Sequence, residues 1–97
     1  MKVVLTPRAH ARLEAIHDFV AAQDPASADR LVAKLHARMA ALGSLPRRGR
    51  LVPELPGSGL REVVEGHFRI VYRLSGDEVQ ILTVFDGRLP LEREPLP

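Results

Sequence analysis

Two stretches in the first half of the chain carry apolar residues at helical spacing. Ala9, Leu13, Ile16 and Val20 recur at intervals of four, three and four, one stripe on a 3.6-residue period, with Arg8, Arg12, Glu14 and Asp18 off it. Thr6-Pro7 stands directly ahead, a residue suited to capping followed by the proline that fits the first helical position. The pattern predicts a helix from Pro7 to about Ala22, where Asp24-Pro25 repeats the same start signal. Ala28, Leu31, Leu35, Met39 and Leu42 then follow the three-and-four rhythm up to Gly43, the expected C-cap. With only a tight turn between them, the two read as an antiparallel helical hairpin. Val3-Val4-Leu5 ahead of them predicts a short strand, at the sheet edge or beside its centre.

Beyond residue 59 the period changes to two. Residues 60–65, 68–74 and 78–85 are rich in β-branched and aromatic side chains and are separated by Gly66-His67 and Ser75-Gly76-Asp77, which predicts a three-stranded meander. In its middle strand Phe68, Ile70, Tyr72 and Leu74 share one face, and Arg69, Val71 and Arg73 the other. The helical hairpin should cover the first face. No element is left for the second, so Arg69, Val71 and Arg73 are expected on an open surface of mixed basic and apolar character, suited to a partner. Residues 44–59 hold three prolines and three glycines and read as a connecting loop. From Asp86 onward, three more prolines predict an extended C-terminal tail, residues 86–97. The expected fold class is α+β: a short N-terminal strand and a helical hairpin packed on a three- to four-stranded, mainly antiparallel sheet.

Composition narrows the function. Ninety-seven residues, 45% hydrophobic, suffice for one small domain and not for two cores, so residues 1–97 form a single domain. The absence of cysteine excludes disulfides, thiolate metal sites and a cysteine nucleophile, and fits the cytoplasm. Apolar runs of only a few residues argue against a membrane segment. The net charge of +2 gives no general case for nucleic-acid binding, although twelve of the fourteen basic residues are arginine, whose fork suits carboxylate as well as phosphate. His10, Glu14 and His17 share a helical face, but their spacing is not that of a zincin helix, and a solvated face explains them. No metal or cofactor is expected. Arg47-Arg48-Gly49-Arg50 reads as a soluble connection, with an acidic or phosphate partner as the alternative.

The run Leu60-Arg61-Glu62-Val63, then Gly66-His67-Phe68-Arg69-Ile70-Val71-Tyr72-Arg73-Leu74, then Val79-Gln80-Ile81-Leu82-Thr83-Val84-Phe85-Asp86-Gly87-Arg88, resembles the ParE/RelE superfamily of bacterial type II toxins, in its ParE-like branch. The resemblance spans the whole chain and is most specific in the second half. It implies a RelE/ParE-like fold and a toxin neutralised by a cognate antitoxin. The implied target is DNA gyrase for a ParE-like protein, or ribosome-bound messenger RNA for a RelE-like endoribonuclease. A third alternative is a non-toxic regulatory subunit of the antitoxin complex.

Chemistry separates the first two. Cutting RNA through its 2′-OH needs a base, a proton source and cations for the phosphorane charge. By resemblance Arg69 and Arg88 match the cationic positions, but the tail after Arg88 lacks the tyrosine such nucleases commonly use. Tyr72, the chain's one tyrosine, has the parity of a core residue. His67 shares parity with Arg69 and is the best candidate proton carrier, the alternative being a solvated turn histidine. Glu62, Glu65 and Asp86 lie near the sheet ends, where charges discourage edge pairing. Arg69 could also form a solvated cross-strand ion pair with Glu62 or Glu65. The reading reached is a binding inhibitor without catalytic residues of its own, contacting its target or antitoxin through Arg69, Val71, Arg73, Arg88 and Leu89.

Overall fold

The computed structural model describes residues 1–89; of the tail expected over residues 86–97, Asp86 instead ends the last strand and Gly87-Arg88 form a turn, and the part beyond Leu89 lies outside the described residues. Its elements run β1 (Lys2–Leu5), α1 (Pro7–Ala21), α2 (Pro25–Ala41), β2 (Arg50–Leu51), β3 (Arg61–Glu65), β4 (Phe68–Ser75) and β5 (Glu78–Asp86). The five strands form one sheet in the order β1-β5-β4-β3-β2, with β1 parallel to β5 and the other neighbours antiparallel. The first strand therefore takes an edge. The two-residue β2 is a strand the sequence pattern did not suggest, because it sits inside the proline- and glycine-rich loop.

Both helices begin where their start signals stand. The Thr6 hydroxyl accepts from Ala9 N–H at 3.2 Å, and Asp24 accepts from Ala26 N–H at 3.2 Å. Thr6 also fixes where α1 leaves the sheet, since its Oγ1 donates toward the carbonyls of Ile81 (2.9 Å) and Leu82 (3.0 Å). Those carbonyls flank a β-bulge: Val71 pairs with Thr83 and Tyr72 with Ile81, so Leu82 is the extra residue of β5. The bulge turns Leu82 away from the helices while Ile81 and Val84 stay among the side chains facing them.

Under the helices the main core joins Ala9, Leu13, Leu35, Met39 and Leu42 to Val63, Ile70, Tyr72, Val79, Ile81 and Val84. The buried Tyr72 hydroxyl donates to Pro46 C=O (2.8 Å) and accepts from Gly49 N–H (2.9 Å), tying the loop to the sheet. Gly43 ends α2 for a reason other than a left-handed cap. The αR cap is Leu42, and a Cβ on Gly43 would stand 2.7 Å from Met1 O.

The sheet's second face is not bare, which corrects the sequence expectation. Residues 52–60 cross it as a strap and place Val52, Leu55 and Leu60 against Val71, Leu82 and Phe85. The Val52 N–H donates to Leu60 C=O at 2.9 Å and closes the strap, and Gly57 and Gly59 make its turns at φ of +82° and +77°. Covering Val71, Leu82 and Phe85 contributes about 1.5–3 kcal/mol for each fully buried side chain, reason enough for a strap to fold over them. Among the described residues, no helix is long and apolar enough to cross a membrane.

Candidate functional site

β4 carries Arg69 to the second face, beneath the strap, where its side chain is only 10% exposed. Three fixed pieces of structure surround it. The Phe85 ring lies below, its centroid 5.3 Å from the guanidinium carbon. Gly87 passes beside the methylenes so closely that a Cβ there would stand 2.8 Å from Arg69 Cγ. Glu62, fully buried on β3, accepts from Arg69 Nε (2.7 Å) and Nη2. The remaining edge of the guanidinium meets Glu54 of the strap in a two-pronged contact, Nη1 to Oε2 at 2.6 Å and Nη2 to Oε1 at 2.8 Å. Arg50 of β2 closes the network on the other oxygen of Glu62 at 2.7 Å. Two guanidiniums thus face two carboxylates, and the cluster is neutral.

The electrostatics follow from this geometry. Hydrogen bonds from Arg69 hold the Glu54 carboxyl down at about 2, against the opposing effect of its partial burial. Those from Glu54, and then Glu62, raise the Arg69 pKa further. Arg69 was expected in the open, or in a solvated pair with Glu62 or Glu65; instead the pair is buried and Glu65 faces Arg38 at 3.7 Å. Glu62 is correspondingly a buried partner and not an edge charge. Val71, also expected in the open, is fully buried under the strap. Arg73 is exposed as expected, donating to Gln80 Oε1 across the strands at 2.7 Å.

Arg88 and Leu89 are exposed at the end of β5. The Arg88 guanidinium folds back on Asp86, Nη2 to Oδ2 at 2.6 Å and Nε to Oδ1 at 2.9 Å, and its backbone N–H reaches Oδ1 at 2.9 Å. These bonds hold the Asp86 carboxyl at about 2. His67 occupies the β3–β4 turn with its ring exposed, and its carbonyl accepts from Gly87 N–H at 2.6 Å. Tyr72 is in the opposite core, so the structure does not bring a tyrosine to Arg69.

Arg88, Leu89 and Asp86 form one wall of an apolar groove of about 450 Å³, whose other walls include Arg12, Ile16, Phe19, Leu31 and Phe68. Phe19 stands 76% exposed there. The helical face of His10, Glu14 and His17 holds no group of three metal-ligating side chains among the described residues. His17 instead bridges to Asp29 of α2 at 2.8 Å, and this hydrogen bond raises its pKa. Of the basic loop cluster, Arg50 turns inward to Glu62, while Arg47 and Arg48 line a shallow hollow with Leu45 and Pro46.

Glu54 is the residue that sequence reasoning missed. A sixteen-residue loop inside so small a domain was itself a signal, because loops of that length usually carry a task.

Comparison with known proteins agrees with this architecture. A chain of the "chromosomal ParDE TA system from P. aeruginosa" superimposes with a TM-score of 0.76 at 26% identity, covering 89% of this chain and 95% of that one. A chain of the toxin–antitoxin complex RelBE2 from Mycobacterium tuberculosis superimposes with a TM-score of 0.65 at 22% identity, covering 88% and 95%, a likeness of fold. No curated protein matches the sequence. The family model described as the ParE toxin of the type II toxin-antitoxin system parDE matches residues 3–89, and the chain belongs to that family.

Proposed function

We propose that this protein is the toxin of a cytoplasmic toxin–antitoxin pair, that it acts on DNA gyrase by binding without covalent chemistry or cofactor, and that a cognate antitoxin neutralises it. The observation that carries this reading is the state of Arg69. A phosphate clamp needs a guanidinium edge open to the ligand, whereas both terminal nitrogens of Arg69 are engaged by Glu54 and the cluster around them is neutral. Arg88 is closed on Asp86, and the candidate proton carrier His67 is an exposed turn residue. The likeness to a ParDE chain supports the same reading, and the likeness to RelBE2 concerns fold alone.

Of the five contact residues expected from sequence, Arg73, Arg88 and Leu89 are exposed and suited to touch a partner directly. Arg69 and Val71 would act only by supporting the surface above them. The groove beside Phe19, walled by Arg88 and Leu89, is apolar enough to receive an antitoxin segment that folds as it binds. Purified protein added to gyrase is expected to block supercoiling or to leave DNA cleaved within gyrase complexes. Undisturbed supercoiling at a large molar excess of active, folded protein would overturn the assignment.

A further inference from the structure

We propose that Glu54 is an internal ligand of a preformed carboxylate site, and that an acidic, aliphatic peptide segment of a protein partner takes its place when the strap lifts. The inference rests on the reading of this chain as a binding protein and names the chemistry of one surface it would use. Arg69 is held on three sides by parts of the sheet framework: Phe85 below, Gly87 alongside, and the fully buried Glu62 at Nε. Its fourth side is closed by one carboxylate from a loop, and that carboxylate is 40% exposed. The guanidinium therefore keeps its position whether or not Glu54 is present. A positioned fork with a single exchangeable ligand is the arrangement that recognises a carboxylate in two-pronged fashion.

Charge and shape select the occupant. The cluster is neutral with Glu54 in place, so removing it leaves one net positive charge, which a single monoanion restores. Lifting the strap also uncovers Val71, Leu82 and Phe85, which Val52, Leu55 and Leu60 had covered. A bare phosphate would satisfy the charge and leave that apolar patch in water. A peptide with a glutamate between aliphatic residues satisfies both, and the strap's own Val52-Pro53-Glu54-Leu55 is such a segment. The strap can open as a unit: its turns use Gly57 and Gly59, and its internal hydrogen bonds are short-range loop contacts, Val52 N–H to Leu60, Leu55 N–H to Val52, Ser58 N–H to Leu55 and Leu60 N–H to the Ser58 hydroxyl.

The test uses the full chain and the synthetic peptide Val-Pro-Glu-Leu-Pro-Gly-Ser-Gly as probe. Binding is followed by NMR at the Arg69 Nε–H and the Phe85 ring, in the parent and in Glu54→Ala. The peptide is expected to bind Glu54→Ala at least tenfold more tightly than the parent, and its glutamine analogue at least tenfold more weakly than the glutamate form. Equal binding to parent and variant, or none to either, overturns the proposal, as does inorganic phosphate shifting the same signals at lower concentration than the peptide. Hydrogen exchange on the unaltered chain keeps the idea testable should the variant not fold. The Leu55 and Ser58 amides are expected to exchange through a sub-global opening whose denaturant dependence is measurable and well below that of global unfolding, since lifting exposes Val71, Leu82 and Phe85, and exchange only with global unfolding would rule out a lifting strap. Gyrase inhibition is read separately, so failure of the peptide to bind leaves that assignment standing.

Discussion

Replacing Arg69 by methionine keeps an unbranched apolar stem and removes the guanidinium, with its charge, from the centre of the second face. Glu62 would then remain fully buried with Arg50 as its one cationic partner, while Glu54, partly exposed, could return to water. Removing one partner of a buried ion pair costs about 3–5 kcal/mol when the other is left uncompensated. Because Arg50 still holds one oxygen of Glu62, we expect about 2–4 kcal/mol here. That is a large share of the roughly 5–15 kcal/mol that keeps a domain folded. For a domain of this size it corresponds to a fall in melting temperature of about 10–30 °C. Urea unfolding followed by far-UV circular dichroism measures it, a suitable probe since the chain lacks tryptophan and its single tyrosine is buried. The double variant Arg69→Met/Glu62→Gln removes the stranded charge as well, and should be more stable than the sum of the single losses by at least about 1 kcal/mol. A single-variant loss below about 0.5 kcal/mol, or strict additivity in the cycle, would refute the argument that this pair is a buried structural element.

Further predictions follow from neighbouring contacts. Glu54 is lowered from its ordinary value to about 2 in the folded protein, so it contributes stability that is fully present above about pH 4.5 and is lost as pH falls toward 2. With its side chain partly exposed, the contribution is about 1–2 kcal/mol after solvent screening, and Glu54→Gln should flatten the acid limb of a stability–pH curve by that amount. In Gly49→Ala the new methyl would stand 2.6 Å from both Glu62 O and the Tyr72 hydroxyl, so the variant should lose about 1–3 kcal/mol in denaturant titration. Thr6→Val removes the cap of α1 and its anchor on the β5 bulge; a loss of about 1–2 kcal/mol is expected, with faster hydrogen exchange in the first turn of α1.

Local signals made much of the fold legible. Thr6-Pro7 and Asp24-Pro25 start the two helices where they stand in the sequence, and strict alternation in β4 divides Ile70 and Tyr72 from Arg69 and Val71 correctly. Alternation names a face, however, and not what covers it. The burial of Arg69 depends on Glu54, fifteen residues away on an irregular loop, and on Glu62, placed by strand register. Neither position has a periodic signature. The bulge at Leu82 was hidden for a related reason, since the mostly apolar, β-branched stretch Ile81-Leu82-Thr83-Val84-Phe85 shows no clean alternation that an extra residue would break. Gly43 and Gly49 are required by close approach of chain segments distant in sequence, which composition cannot reveal. At the site, Arg73 is exposed although strand parity groups it with the buried Arg69 and Val71, while Phe19 becomes meaningful only beside the groove.

Contact without cutting is tested most directly by mapping 5′ ends on ribosome-programmed messenger RNA incubated with the purified, folded protein, alongside gyrase in the same buffer. With Arg69 closed by Glu54 and Glu62, the transcript should stay intact at concentrations that stop supercoiling. Cuts at defined codons with supercoiling unaffected would contradict the account.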